Sequence, residues 1–380
     1  MGPLLIFDKS FLQMLNPEEV FELRLHFKFV GTPLLIREII ADLKKEPSPE
    51  RIPRTVVKTL ALKMETAHGV QPANFRKLAL ANLCAHSVSM IGQVPVDVSR
   101  PNVHVTKDGR GTIYDSVPEQ GMWRRWAAED FSTDDEATAS AWRAGLEKVD
   151  LRAVGDNWKG FAMAHFGSAK NQPQLIDAVD GMFNNPNRAT QRELIALTLA
   201  FLRAPVAVSR VAFGLHSIGE ISTLKEYAPF AASVTKLYLA FIGGLARGFI
   251  GPRPSHFIDL QYLFYAPFCM VFVSADKFHR TMWTATSGTN SFVWGPDLKT
   301  ELATRVALRK KMKLEEQTVK AKGTHAMEGA GSIIDEQWKK YMRPRERMES
   351  GSNAKTLDDL DPEISADFEE AFKILDESKR

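Results

Sequence analysis

Two aspartates stand where runs that read as buried strands come to an end. Leu4-Leu5-Ile6-Phe7 stops at Asp8, and Cys269-Met270-Val271-Phe272-Val273 runs through Ser274 and Ala275 to Asp276. In an open parallel sheet, ligands bind beyond the carboxyl ends of the strands, so two acids placed there can sit side by side although the chain separates them. Asp is also a common helix N-cap, the plainer reading of either residue taken alone. Two helical stretches add acids. Glu38 and Asp42 are four residues apart and so share a face. A carboxylate ringed by Ile36, Ile39 and Ile40 is costly to bury unpaired. Asp259 is set in the apolar stretch His256-Phe257-Ile258-Asp259-Leu260. Each of these acids reads equally as a solvated position on an amphipathic helix.

The elements that must position these acids are legible in the pattern. Residues 4–7 form a short continuous apolar run, as in a strand covered on both faces. Residues 9–15 read as a helical turn or two. Asn16-Pro17-Glu18-Glu19 has a cap, a Pro at the first helical position and acids in the first turn. A second strand is predicted over residues 27–30, and Gly31-Thr32-Pro33 opens the next helix. This β-α-β-α order argues for an α/β layer fold. The texture changes over residues 54–251, which read as mainly helical with a hairpin at 103–114 and strong periodicity at 191–202 and 231–246. The α/β texture returns at Gly251-Pro252, with a helix at 255–265 capped by Ser255, the strand run from Cys269, a helix at 277–283 and a strand at 291–294. Residues 298–320 read as a basic helix.

Taken in order, LLIFDKSFLQML, TPLLIREIIADL, HFIDLQYLFY and CMVFVSADKFH resemble the motifs of the PIN-domain, or PIN-like, nucleases. In that family an Asp ends the first strand, a Glu follows on a helix, an Asp opens a later helix and another Asp follows a later strand. The resemblance covers residues 1–46 and 252–297, and it implies that Asp8, Glu38, Asp259 and Asp276 form the catalytic metal site, with Asp42 as a possible fifth acid. It implies Mg²⁺ or Mn²⁺ as cofactor, and the physics agrees. Four converging carboxylates repel and part-protonate unless cations neutralise them, and an all-oxygen set suits hard divalent ions. Such an ion activates water and stabilises the leaving oxygen of a phosphodiester. The implied activity is phosphodiester hydrolysis, with RNA the commoner substrate.

Two features depart from the family pattern. Roughly 200 residues separate Glu38 from Asp259, far more than a compact PIN domain needs. Lys277-Phe278-His279 follows Asp276 where many relatives supply a further acid, which leaves open a one-metal site, a site completed by Asp42, or a weakened nuclease. Ser274 is placed to orient the metal shell by hydrogen bonding.

Other groups are weighed beside these acids. His256 and His279 are candidate proton donors or phosphate contacts, or packed histidines. Lys277 and the run Arg305, Arg309, Lys310, Lys311, Lys313 are candidate contacts to a phosphate backbone, or a solvated helix face with Glu315 and Glu316 following. Trp123-Arg124-Arg125-Trp126 reads as a stacking platform for single strands or as a tryptophan anchor. Lys107-Asp108-Gly109-Arg110-Gly111 lacks Walker spacing and reads as a hairpin turn.

Only 2 cysteines, Cys84 and Cys269, occur in 380 residues, which excludes a disulfide scaffold and a Cys-based zinc cluster and fits a reducing, cytoplasmic setting. Asp8 and Lys9 interrupt the N-terminal apolar run, so no secretory signal is expected there. No membrane span is expected either; the nearest candidate, residues 237–250, contains Gly243, Gly244 and Arg247. The net charge of +3 combines a last stretch of 30 residues with 9 acids and 4 bases, expected to be a mobile acidic tail, with a more basic remainder.

The expectation is therefore an α/β fold with a PIN-like three-layer core and a central, mostly parallel sheet. The core is discontinuous (1–46 and 252–297) around a mainly helical insert with a small hairpin (54–251). A basic helical region (298–342) and an acidic tail (343–380) follow. Its expected partner is nucleic acid, most readily RNA, and a protein inhibitor or partner bound through the helical lobe is a further possibility. The competing class is a non-catalytic protein- or RNA-binding module that works through that lobe. A third reading is a toxin-type or defence nuclease held in check by a partner.

Overall fold

Four short strands lie side by side at the centre of the computed structural model: β1 (Leu4–Phe7), β2 (Lys28–Phe29), β5 (Val271–Ser274) and β6 (Ser291–Trp294). Their order is β2-β1-β5-β6 and every neighbouring pair is parallel, as the α/β reading expects. A separate antiparallel hairpin, β3 (Asn102–Thr106) and β4 (Gly109–Ile113), stands where the glycine turn predicts one. The structure describes residues 2–48, 52–65, 72–95, 102–106, 109–113, 119–217, 223–286, 290–312, 329 and 331–342. The chain divides into Met1–Met342 and Arg343–Arg380, and all described residues belong to the first unit. The expected acidic tail, Lys107, Asp108, Lys313, Glu315 and Glu316 lie outside them.

The rest is helical, with α1 (Lys9–Met14), α2 (Pro17–His26), α3 (Pro33–Ile40) and a 3₁₀ turn (Ala41–Lys44) coming first. Then come α4 (Pro53–Glu65), α5 (Phe75–Leu83), α6 (Glu119–Ala127), α7 (Thr133–Glu147), α8 (Leu151–Phe166), α9 (Gln172–Asn184), α10 (Arg188–Phe201), α11 (Val206–Ser217), α12 (Leu224–Tyr227) and α13 (Pro229–Ala246). The chain closes with α14 (Ser255–Leu263), α15 (Lys277–Met282), α16 (Gly295–Lys311) and α17 (Ile333–Tyr341). Local chemistry sets many of the starts. Asn16 and Glu19 form a reciprocal capping box on α2, and Thr32 caps α3 with Pro33 at its first position. Helix α14 differs from expectation, because Ser255 is its first helical residue and the cap position holds Pro254, with no side-chain cap bond.

The sheet and the helices of residues 54–251 share one hydrophobic core. Leu5, Ile6, Val271, Phe272 and Val273 are wholly buried there. Helix α4 packs on α1, α3 and the 3₁₀ turn; α7 packs on α3 and the same turn; α13 packs on α14 and α15.

Helix α13 corrects one expectation. Its 18 residues, with mean hydropathy 1.3, are long and apolar enough to cross a membrane by length and composition, and Gly243 and Gly244 lie within it instead of breaking it. The helix is 83% buried inside the fold, against α5, α8, α9 and α10. Apolar on all sides, it is a core helix that each neighbouring layer covers.

Gly295, at the junction of β6 and α16, sits where a side chain has no room. A Cβ there would lie 2.9 Å from the Phe11 ring and 3.2 Å from the Ser274 carbonyl carbon. Gly295→Ala is expected to cost about 1–3 kcal/mol by overpacking. Chemical denaturation measures it, and an unchanged midpoint would contradict the tight packing of α16 against the ends of β1 and β5.

Candidate functional site

The register of the two central strands brings the first two acids together. Leu5, Ile6 and Phe7 pair with Val271, Phe272 and Val273, so Asp8 and Ser274 leave the sheet at the same level. Asp8 caps α1, its Oδ1 accepting from Phe11 N at 2.8 Å, while Oδ2 accepts from Ser10 Oγ at 2.8 Å and Ser274 Oγ at 2.7 Å. Ser274 Oγ in turn accepts from Asp276 N at 2.9 Å. One hydroxyl therefore bridges the two strand-end aspartates. Asp276 also caps its own helix, accepting from Phe278 N at 2.7 Å. The capping role and the convergence are both present.

His279 lies beneath this bridge and is fully buried. Its Nδ1 is 2.7 Å from Ser274 Oγ and 3.4 Å from Asp8 Oδ2, and its Nε2 is 2.7 Å from the Asp259 carbonyl oxygen. A carbonyl only accepts, so Nε2 carries a proton. With Ser274 donating to Asp8, a proton on Nδ1 as well satisfies every partner, giving an imidazolium between Asp8 and α14. Burial pushes the His279 pKa down, but the bond and charge of Asp8, followed by Asp259, outweigh it and raise the imidazole above its ordinary value. Burial pushes Asp8 up, and His279, Ser274 and Phe11 N outweigh it, holding the carboxyl below its usual range. His279 is thus a packed, ion-paired histidine that orients the acids from behind.

Asp259 and Glu38 complete the set. Glu38 Oε2 accepts from Tyr262 Oη at 2.7 Å, and Oε1 pairs with Lys9 Nζ at 3.2 Å. Tyr262 is one helical turn beyond Asp259 on α14, and burial followed by the charge of Glu38 pushes its phenol well above the ordinary value, so it stays a neutral donor. The Asp259 side chain accepts no hydrogen bond from the described residues. Burial, with the charges of Asp276, Glu38 and Asp8 and a partial offset from His279, pushes its carboxyl up to about 7. The charges of the other three sequence-marked acids thus all act on Asp259. Among the described residues no three His, Cys, Asp or Glu side chains are grouped tightly enough to hold a metal ion. Asp8 and Asp276 are turned to their caps and Glu38 to Tyr262. The donor set still fits a hard divalent cation chemically, being all carboxylate.

The remaining candidates separate cleanly. Asp42 is buried and surrounded by Lys9 at 3.1 Å, Lys45 at 2.6 Å and Arg143 at 3.6 Å. Burial pushes its carboxyl up, yet Lys9 and Lys45 hold it below the usual range, so its charge is balanced by protein cations and it does not complete the acid cluster. Arg305 is fully buried, with Glu301 at 2.7 Å and Asp335 at 3.2 Å tying α16 to α17, which overturns its reading as a phosphate contact. Arg309 makes a two-pronged pair with Glu22 at 2.6 and 2.7 Å, joining α16 to α2, so its charge too is engaged inside the fold. His256 Nδ1 donates to the Gly251 carbonyl at 2.8 Å, and the ring stacks on Phe278. Lys277 is exposed at the start of α15, beside Asp276. Trp126 is buried edge-on against Trp123, the anchor reading of that motif. Cys269 is buried with its thiol pushed up by burial, which suits packing and not nucleophilic attack.

Tyr262 and Lys9 were not singled out in the sequence, although Tyr262 lies three residues from Asp259 and Lys9 directly follows Asp8. Neither residue type signals a carboxylate partner until the fold supplies one. In comparisons with known proteins, the chain matches no family model, no curated protein and no solved structure.

Proposed function

We propose that this chain is a metal-dependent nuclease with a PIN-like α/β core, hydrolysing phosphodiester bonds in RNA with Mg²⁺ or Mn²⁺. The observation that carries the reading is Asp259: a partly exposed carboxyl that accepts no hydrogen bond from the described residues and that burial and the charges of Asp276, Glu38 and Asp8 push up to about 7. An arrangement that costs stability in the free protein and whose charge suits a cation is what a binding site for that cation requires. Asp8, Glu38, Asp259 and Asp276 would hold the ion, which would supply an activated water and stabilise the leaving oxygen. The chain's own residues set the stage. The Ser274 hydroxyl holds Asp8 and Asp276 at one spacing, His279 fixes Asp8 against α14, and Tyr262 and Lys9 orient Glu38. The parallel order β2-β1-β5-β6, with the acids at the carboxyl edge of β1 and β5, supports the PIN-like assignment.

Calorimetric titration of the full-length protein with Mn²⁺ tests the proposal. A saturable site is expected in the wild type, together with Mn²⁺-dependent cleavage of single-stranded RNA. Absence of any Mn²⁺ site would leave the non-catalytic binding module as the better reading.

A further inference from the structure

Helix α15 does more than present Asp276 and bury His279. Phe278, His279 and Met282 face inward, whereas Lys277, Arg280 and Thr281 are exposed on the opposite side, in a helix that carries no acid after its Asp276 cap. Arg280 lies one helical turn beyond Asp276, its backbone N donating to the Asp276 carbonyl at 3.3 Å. The guanidinium carbon sits 5.6 Å from the centroid of the Trp294 ring. Trp294 ends β6 and pairs in register with Ser274, so this guanidinium is held at the same carboxyl edge of the sheet as Asp8 and Ser274. Lys277 directly follows Asp276.

Other cations around the core are already engaged. Lys9, Lys45 and Arg143 surround Asp42, Lys299 pairs with Glu19, and Arg309 and Lys310 pair with Glu22 and Glu18. Lys277 and Arg280 form no ion pair with any described residue. The acids nearest to them along these elements are Asp276, whose charge the metal would take up, and Asp297, exposed in the first turn of α16. The β6 side of the acid cluster thus carries two uncommitted cations against one solvated carboxylate.

We infer that Lys277 and Arg280 hold the phosphates of the substrate strand on the β6 side of the acid cluster. The inference rests on the nuclease reading and adds the substrate-positioning groups to it: α15 carries a metal ligand at its cap and phosphate contacts within its first turn. Arg suits this role because its planar fork donates two hydrogen bonds to one phosphate. Packing against the indole restricts the fork beforehand, so less freedom is lost when a phosphate arrives. Trp294 supports the guanidinium and need not touch the strand. Lys277, on its flexible stem, supplies a point charge to the neighbouring phosphate. Phosphate contacts position a strand without reading its bases, so seating is expected to be independent of sequence.

The test uses the full-length protein in chelator, so that nothing is cut and the same acids repel the strand in every variant. The probe is a fluorescein-labelled single-stranded RNA of ~10 nucleotides. Combining Lys277→Gln with Arg280→Gln is expected to weaken binding ~10-fold or more at ~0.1 M salt. The slope of log affinity against log salt should fall by about 1.4, roughly 0.7 for each contact. Arg280→Lys should keep the slope yet bind ~3-fold more weakly than wild type, because an ammonium lacks the fork. With Mn²⁺ present, the double variant should raise KM for RNA cleavage ~10-fold while kcat stays within ~3-fold, the signature of lost uniform binding. Its Mn²⁺ titration and thermal midpoint should match wild type, since both side chains are exposed. Unchanged affinity and salt slope in the double variant would overturn the inference, and so would loss of its Mn²⁺ site. The two readings fail separately. A wild type that binds Mn²⁺ and cuts RNA regardless of both substitutions defeats the phosphate contacts alone. RNA affinity that depends on them in a protein without any Mn²⁺ site defeats the nuclease reading.

Discussion

Asp259→Asn is expected to stabilise the metal-free protein at about pH 8 and, in the same molecule, to lower Mn²⁺-dependent RNA cleavage by ~100-fold or more. The two effects have one cause. The Asp259 carboxyl accepts no hydrogen bond from the described residues and is pushed up to about 7 by burial and by Asp276, Glu38 and Asp8. Above that pH the folded chain must carry a poorly solvated charge among like charges. Removing the charge relieves about 1–3 kcal/mol of that strain and also removes the least-compensated ligand from the site. Asp276→Asn should lose cleavage with little change in stability, because Asn caps a helix as well as Asp and can still accept from Phe278 N. Asp8→Asn is the least informative of the three. The Asp8 carboxylate accepts from Phe11, Ser10 and Ser274 and faces His279, so its loss damages fold and site together. Thermal unfolding and single-turnover cleavage of the three variants decide the matter. An Asp259→Asn protein that is less stable than wild type, or that cuts equally fast, ends the assignment.

The contrast among these acids also shows what the sequence could disclose. The strand ends at Asp8 and Asp276 were legible because a continuous apolar run followed by a capping residue is a local signal, and the structure keeps both the cap and the strand end. The α2 and α3 starts were legible for the same reason. What a helix faces is not local. Arg305 lies in a stretch whose charges recur on all sides, so its burial against Glu301 and Asp335 depends on α17 arriving from outside the run. Asp42 shares a face pattern with Glu38, but the chain passes from α3 into a 3₁₀ turn at Ala41, and the different pitch delivers Asp42 to Lys45 and Arg143 instead of to the acid cluster. Within the stretch read as mainly helical, α5 stops at Leu83, after which Ala85 takes a left-handed conformation (φ 64°). Trp142 and Arg143 gave no motif at all; their place beside Glu38 follows from the docking of α7 on the 3₁₀ turn, a tertiary fact.

The same carboxyl that marks the site also sets how the fold responds to pH. In chelator, the folded chain holds a proton on Asp259 up to about pH 7, while the unfolded chain releases it near 3.8. Between those values the native state binds more protons, so stability falls as pH rises, by an amount on the order of a few kcal/mol at most. His279 acts in the same direction. Its value in the folded protein lies above 6.5, so its contribution is fully present below 6.5 and is lost as pH climbs through the raised value. Asp8 works the other way but elsewhere: its lowered value gives stability that is present above 3.8 and lost only in stronger acid. The metal-free protein is therefore expected to be more stable at about pH 5 than at about pH 8, against the usual expectation for paired carboxylates. A divalent ion competes with the Asp259 proton, and binding releases it. Mn²⁺ should thus stabilise far more at about pH 8 than at about pH 5, flattening or inverting the slope seen in chelator. Denaturant unfolding at both pH values, with Mn²⁺ and with chelator, measures all four corners, and Asp259→Asn should abolish most of the slope while His279→Gln removes its upper part. A chelator profile that rises toward pH 8 would mean that the four acids do not share a field, and the metal site would lose its physical basis.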